Sequence, residues 1–328
     1  MIRFGVIGTN WITEKFIKSA KEIDDFSLVA VYSRTEERAN EFAEEFQIPY
    51  RYTDLESMAK SDHVDAVYIA SPNSFHAEQA ILCMNHGKHV LCEKPMASTS
   101  QEIRKMVEAA KQNRVLLMEA LKTTLLPNFQ AISEHMAKIG RIRRYVANYC
   151  QYSSRYDAYL NGKVLNAFNP KFSNGALMDL GIYCIYPLVV LFGKPSQIKA
   201  NSVLLETGVD GEGSIVMNYG DMEAVVMYSK ITNSTMPSEI QGENGNIIID
   251  QISQPGRVDI RYRNGITENI TLPQKKETMY YEVKEFIELI KKGQLEPTIN
   301  THQNSLIAAE IMEEARQQSG IVFPADRK

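Results

Sequence analysis

The ten residues His86 to Pro95, HGKHVLCEKP, read as the end of a helix, a glycine turn and a buried strand. Gly87 lets the chain leave the helix, because glycine adopts left-handed backbone at no steric cost. The run from His89 to Leu91 contains β-branched Val90, and it stops on a carboxylate, an amine and a proline side by side, Glu93-Lys94-Pro95. A strand that is apolar along its length suits a parallel sheet covered on both faces. Open sheets of that kind bind ligands beyond the carboxyl ends of their strands, which is where Glu93 and Lys94 fall. Pro95 fixes the backbone there, since it constrains its own φ and restricts Lys94 as well.

The same texture continues on either side. From Ile2 to about Leu121, short β-rich runs (Ile2 to Ile7, Leu28 to Tyr32, Ala66 to Ala70, His89 to Leu91, Val115 to Met118) alternate with helical periodicity, clearest in Glu36 to Phe46 and Gln101 to Gln112. Repeated βαβ units predict a Rossmann-type, doubly wound parallel sheet over residues 1–121. After Pro127 the pattern changes. A helix near Phe129 to Lys138 leads to a strand around Tyr145 to Tyr152, and a second helix begins near Gly175. From Gln197 to Leu272 the chain is strand-rich, with turn signals at Gly208 to Gly213, Tyr219-Gly220-Asp221, Asn244-Gly245 and Asn264-Gly265. Asn-Gly between β-rich runs predicts hairpins. Residues 122–328 therefore read as an α+β domain with a large, mainly antiparallel open sheet. Helices near Thr278 to Lys292 and Thr301 to Ser319 close it, the last available to pack back on the first domain. A sheet with an uncovered face predicts a homodimer or homotetramer.

Composition sets outer limits. With 328 residues, 44% apolar and 23% charged, the chain is that of an ordinary globular protein with two cores. A net charge of -4 speaks against nucleic acid as a partner. The basic cluster Arg141, Arg143 and Arg144 reads as a solvated strand edge. Four scattered cysteines (Cys83, Cys92, Cys150, Cys184) and an N-terminus that runs straight into a strand lead us to expect the reducing cytoplasm, with no targeting segment. The apolar run from Ile185 to Phe192 is too short to span a bilayer, so no membrane partner is expected. Cys83, His86, His89 and Cys92 recur every third residue, but across a helix, a turn and a strand such a step does not keep side chains together, so no metal site is expected.

The first strand opens into Gly8-Thr9-Asn10-Trp11-Ile12-Thr13. Of the dinucleotide fingerprint G-x-G-x-x-G only the first glycine is present. Asn10 is the residue that best replaces glycine in left-handed backbone, and amides at the following helix start can face a pyrophosphate. The second strand ends in Tyr32-Ser33-Arg34-Thr35 without the acid that holds the ribose of NAD. A hydroxyl and a guanidinium suit a 2′-phosphate instead, so Ser33 and Arg34 predict NADP(H), with NAD(H) possible. Ser71, Pro72, Asn73 and His76 follow the Ala66 to Ala70 strand and complete the expected cofactor loop, although His76 also fits a helix residue satisfied by backbone.

Lys94 can place its ammonium beside the nicotinamide, where an alcohol oxygen gains or loses a proton during hydride transfer, and Glu93 can set the charge of that place. The second cluster is NGALMDLGIY, residues 174–183, in which Asp179 and Tyr183 stand four apart on one helix face, with Asp179 expected as a catalytic residue that binds a substrate hydroxyl or positions Tyr183. A free tyrosine titrates near pH ~10, roughly three pH units too high for proton exchange at neutrality, and a lysine cation lowers it. Pro187 predicts a kink or a frayed turn beside Tyr183.

The segments GVIGTNWI, SPNSFHAEQA, GKHVLCEKPMA, LLMEA and GALMDLGIY, in this order, resemble the glucose-fructose oxidoreductase, inositol dehydrogenase and rhizopine-catabolism (Gfo/Idh/MocA) family over nearly the whole chain. The resemblance implies a Rossmann domain, a C-terminal domain whose open sheet mediates oligomers, and NAD(P)-dependent oxidoreduction of a sugar, polyol or diol. It implies a catalytic lysine at Lys94. Tyr183 stands where many members have histidine, which resembles the glucose-fructose oxidoreductase and dimeric dihydrodiol dehydrogenase branches, with the tyrosine as general acid/base. Lys122 and Thr123 depart from the latter branch, so its substrate does not carry over. Substrate walls are expected from Lys122, Thr123, Arg155, Tyr156 and Phe168. A nicotinamide-binding regulator without turnover is the rival reading, and the retention of both Lys94 and Tyr183 speaks for catalysis.

Overall fold

The computed structural model describes residues 1–327. The chain divides into two compact units, one of residues 1–122 with 275–305, the other of residues 123–274 with those from 306 on.

The first unit runs β1 (Ile2–Ile7), α1 (Trp11–Ala20), β2 (Phe26–Tyr32), α2 (Glu36–Phe46), β3 (Tyr50–Tyr52), α3 (Leu55–Lys60), β4 (Ala66–Ile69), α4 (His76–Asn85), β5 (His89–Glu93), α5 (Ser100–Asn113) and β6 (Leu117–Ala120). All six strands are parallel, in the order β3-β2-β1-β4-β5-β6. This is the doubly wound arrangement that the alternation predicts. Strands β4 and β6 are buried at every residue; β4 accordingly reads as an unbroken apolar run, whereas β6 buries the carboxyl of Glu119 among apolar neighbours. Thr35, Asp54 and Thr99 cap α2, α3 and α5 by accepting backbone N–H bonds from the first turn. Edge strand β3 was not anticipated: it is three residues long and mostly exposed, so it lacks an apolar pattern. Residues 275–305 add a further helix, which carries Phe286 to 5.9 Å from Phe4, centroid to centroid.

The second unit contains α6 (Pro127–His135), β7 (Ile142–Cys150), α7 (Tyr156–Leu160), α8 (Ile182–Phe192), β8 (Gln197–Leu204), β9 (Asp210–Asn218), β10 (Glu223–Ser229), β11 (Ser238–Gly242), β12 (Gly245–Ile249), β13 (Val258–Tyr262) and β14 (Thr267–Asn269). The helix in residues 275–305 is α9 (Tyr280–Lys291), and α10 (His302–Ser319) follows. The eight strands form one sheet, β14-β13-β12-β11-β7-β10-β9-β8, antiparallel except between β7 and β10. Asn244 and Asn264-Gly265 fall in hairpin turns, as expected, and Gly245 opens β12 directly after its turn.

Two expectations change here. The Arg141 cluster is not at a sheet edge: β7 is an inner strand, and Arg141, Arg143 and Arg144 each pair with an acid, respectively Asp221, Glu243 and Glu223. The apolar stretch around α8 is longer than the sequence suggests. Pro170–Phe192 has the length and composition to cross a membrane, but 72% of its apolar window is buried inside the protein, as in a core helix. Its burial includes Cys184, whose carbonyl accepts the Tyr145 hydroxyl at 3.0 Å.

Candidate active site

In the first unit the expected residues gather at the carboxyl ends of β1, β2, β4, β5 and β6. The turn after β1 is held open by Gly8. Its φ of +105° is left-handed, and a Cβ there would stand 2.9 Å from the Ala70 carbonyl oxygen. Asn10 does other work than expected. Its backbone is extended (φ -108°), and it is the N-cap of α1: the side-chain oxygen accepts from Ile12 and Thr13, and Nδ2 donates to the Ala70 carbonyl at 2.7 Å. The cap therefore occupies the amides of Ile12 and Thr13. Among the described residues the amides of Thr9 and Trp11 have no backbone acceptor, and these donors, in a turn that a side chain at Gly8 would close, fit a dinucleotide pyrophosphate. Trp11 is half exposed, with the Lys15 ammonium 4.8 Å from its ring centroid.

Past β2, the Ser33 amide donates to the Tyr52 carbonyl at 3.1 Å and Arg34 is exposed. Sequence reasoning missed a second guanidinium. Arg38 Nη2 donates to the Thr9 carbonyl at 2.8 Å, placing a cation of α2 against the first turn. The Thr35 hydroxyl accepts the Arg38 amide, so the cap of α2 anchors the residue that carries this guanidinium.

Beyond β4, the Ser71 hydroxyl donates to Gln79 at 2.6 Å, and Pro72 and Asn73 lie half-buried. His76 is 1% exposed, with Nε2 2.8 Å from the Ser71 carbonyl oxygen and Nδ1 3.0 Å from that of Pro95. Burial lowers its pKa. The ring thus lies between the β4 and β5 loops, a neutral imidazole donating its one N–H to one of the two carbonyls, and the expectation that it touches the cofactor meets ring nitrogens that both face backbone.

At the end of β5, Glu93 is buried and accepts the Tyr68 hydroxyl at 2.6 Å. The Lys94–Pro95 peptide is cis and Lys94 is half-buried. Burial pushes the Glu93 carboxyl up, against the opposing pull of Lys94, Tyr68 and Lys122. Two further acids lie in this cluster. Glu119 of β6 accepts the Met96 amide at 2.9 Å and is pushed to about 7 by burial. Glu282 of α9 is 1% exposed and is pushed well up by burial, with Glu93 adding to the effect. Lys122, expected to line the substrate, belongs electrostatically to this group: burial lowers its pKa, while Glu282 and Glu93 raise it.

In the second unit, residues Leu177–Gly181 form a π-helical turn that runs into α8. Gly181 permits it, because a Cβ there would meet Leu177 at 2.9 Å and the Tyr228 ring at 3.0 Å. Single π turns of this kind are frequent at functional sites. Pro187 lies inside α8 and is buried. Asp179 makes an ion pair with Lys230 at 2.9 Å. Tyr183 is half-buried, edge-on to Tyr149 at 5.6 Å. Asp210 Oδ2 accepts the Leu177 amide at 2.6 Å, and burial raises the carboxyl to about 6. Lys230 and Asp210 carried no local signal in the sequence.

The expected substrate walls divide. Arg155 is exposed and Tyr156 half-buried. Thr123 and Phe168 are corrections, both fully buried. The Thr123 hydroxyl donates to the Ser253 carbonyl at 2.6 Å, and Phe168 packs with Ala167 and Val209 beneath Tyr156 and Tyr159. Among the described residues no group of three or more His, Cys, Asp or Glu side chains is placed to hold a metal ion. His89 Nδ1 accepts the Leu116 amide instead.

Two family models match, the oxidoreductase family with NAD-binding Rossmann fold over residues 2–121 and the GFO/IDH/MocA C-terminal domain over residues 129–248. The chain is 59% identical over 327 residues to scyllo-inositol 2-dehydrogenase (NADP(+)) IolU of Bacillus subtilis (strain 168), covering 100% of both chains. It is 31% identical to trans-1,2-dihydrobenzene-1,2-diol dehydrogenase of Mus musculus, covering 100% of this chain and 99% of that protein. Among solved structures, the aldose-aldose oxidoreductase from Caulobacter crescentus shares the fold with a TM-score of 0.86 at 21% identity, over 97% of each chain. The chain belongs to the Gfo/Idh/MocA family of NAD-binding oxidoreductases.

Proposed function

We propose that the chain is an NADP(H)-dependent dehydrogenase that interconverts a carbinol and a carbonyl on a cyclic polyol. The observation that carries this reading is the full-length likeness, at 59% identity, to an enzyme named for scyllo-inositol and NADP(+). The Ser33-Arg34 tip of β2, which offers no carboxylate to repel a 2′-phosphate, agrees with it. The nicotinamide, when bound, supplies the hydride acceptor or donor at C4. Gly8, Thr9 and Trp11 would hold the pyrophosphate, Ser33 and Arg34 the 2′-phosphate, and Ser71, Pro72 and Asn73 the nicotinamide half. Lys94 orients the substrate and stabilises negative charge on its oxygen, Tyr183 exchanges that oxygen's proton, and Asp179 accepts a hydrogen bond from a substrate hydroxyl. Tyr156 and Arg155 are the remaining candidates for the substrate wall.

We also propose that two copies pair through the open sheet. Val216, Val225 and Val146 stand side by side across β9, β10 and β7, and Val216 is 42% exposed. A monomer in sedimentation analysis would overturn this part. Four free cysteines, three of them buried, fit a cytoplasmic home.

The test is an absorbance assay at 340 nm with inositols, open-chain polyols and aldoses, each with NADP+ and NAD+. Turnover of an inositol with NADP+ preferred is expected. Activity confined to aldoses, or a clear preference for NAD+, would replace the substrate or the cofactor in this reading.

A further inference from the structure

Lys230 follows the last residue of β10 and is 2% exposed. An ammonium in that position is costly unless it is paired and hydrogen-bonded. Three groups meet it. Its Nζ pairs with Asp179 Oδ2 at 2.9 Å, donates to the Ala167 carbonyl at 3.2 Å and lies 5.1 Å from the Phe168 ring centroid. The Lys230 amide donates to the Gly211 carbonyl at 2.8 Å, which fixes the backbone from which the side chain starts. Asp210, two positions along from Gly208 at the start of β9, adds a second carboxyl whose charge Lys230 favours. One lysine thus holds together the 166–168 turn, the π-helical turn and the strand ends of β9 and β10.

The pair is unequal in exposure. The lysine side chain is 3% exposed, whereas that of Asp179 is 37% exposed. One carboxylate oxygen is drawn inward by the lysine while the side chain as a whole remains reachable from solvent. A buried ion pair seldom adds stability over an apolar pair of equal volume, so its best-founded use is to specify an orientation.

We infer that Lys230 is a positioning residue for substrate recognition: it holds the Asp179 carboxylate in the one orientation that accepts a hydroxyl of the polyol. This rests on the proposed role of Asp179, and it adds that the aspartate depends on a lysine that touches no substrate. Because Lys230 acts through Asp179, its removal harms recognition only while Asp179 is present.

The experiment is a double-mutant cycle of Lys230→Gln, Asp179→Asn and the combined variant in the full-length protein. It reads kcat and KM for the polyol and the dissociation constant of NADPH. Lys230→Gln is expected to raise KM by roughly tenfold or more, the scale of a contact coupling, and to leave NADPH binding unchanged. The combined variant should be no worse than Asp179→Asn alone. Penalties that multiply would overturn the inference while leaving the role of Asp179 intact, as would an unchanged KM in Lys230→Gln. Full activity in Asp179→Asn would remove the underlying reading itself. If Lys230→Gln fails to fold, Lys230→Met, apolar and close in length, takes its place with the same expected and overturning outcomes.

Discussion

Replacing Glu119 by glutamine separates the charge of a buried carboxyl from its shape. Glu119 is 2% exposed, its Oε1 accepts the Met96 amide two residues past Lys94, and among the described residues its Oε2 has no hydrogen-bond partner. Burial moves the carboxyl from 4.5 to about 7; Glu93 adds to the rise, while Ser305, the Met96 amide and Lys94 oppose it. An acid whose folded value lies above its unfolded value binds more protons when folded. Its favourable contribution is therefore complete below 4.5 and is lost as pH rises to about 7. At roughly 1.4 kcal/mol for each pH unit, that interval amounts to about 3 kcal/mol. Glutamine keeps an oxygen for the Met96 amide and has no charge to desolvate. Glu119→Gln should therefore gain on the wild type between pH 5 and pH 8 by up to that amount. The chain has a single tryptophan, Trp11, and it lies in the first unit, so urea unfolding followed by its fluorescence reports the unit that holds Glu119. A difference between variant and wild type that stays constant across this range would refute the reasoning, because a purely geometric loss has no pH dependence.

Lys94→Ala and Tyr183→Phe should each abolish turnover while leaving the NADPH dissociation constant nearly unchanged; undiminished activity in either variant removes that residue from the proposed chemistry. Gly8→Ala places a methyl group 2.9 Å from the Ala70 carbonyl oxygen at a φ of +105°. It should lower stability by about 1–3 kcal/mol and weaken NADPH binding, read by thermal unfolding and by titration, and wild-type values in both would contradict the turn geometry. Arg34→Ala should raise the NADPH dissociation constant by roughly tenfold to a hundredfold, the worth of one or two charge-assisted hydrogen bonds, and spare NADH. Equal losses for both cofactors would deny Arg34 its role as reader of the 2′-phosphate.

What the sequence makes legible is what depends on neighbours in the chain. Strands β4 and β5 declare themselves because burial on both faces demands apolar side chains along their middles, and the Asn-Gly turns do so because few residues tolerate hairpin backbone; β6 lies two residues beyond the expected Val115 to Met118, because its buried Glu119 breaks the apolar run. Asn10 shows the limit of that reasoning. Its tolerance of left-handed backbone is a local propensity, but the capping of α1 and the bond to Ala70 prevailed, and the extended conformation that serves them needs no tolerance at all. Thr123 and Phe168 were misjudged because nothing adjacent to either residue fixes which way its loop turns; the Ser253 carbonyl and Val209 that receive them come from turns distant in the chain, between β12 and β13 and before β9. The charged groups behind the candidate residues are harder still to foresee. Glu282 joins Glu93 and Lys122 through the 275–305 segment, and Lys230 joins Asp179 through β10. A lone glutamate on a helix or a lone lysine after a strand reads as solvated, since that is where such residues usually are. Burying either one is tolerable only with partners supplied by the fold, so these residues carry little sequence signal and yet bear directly on the surroundings of Glu93 and Asp179.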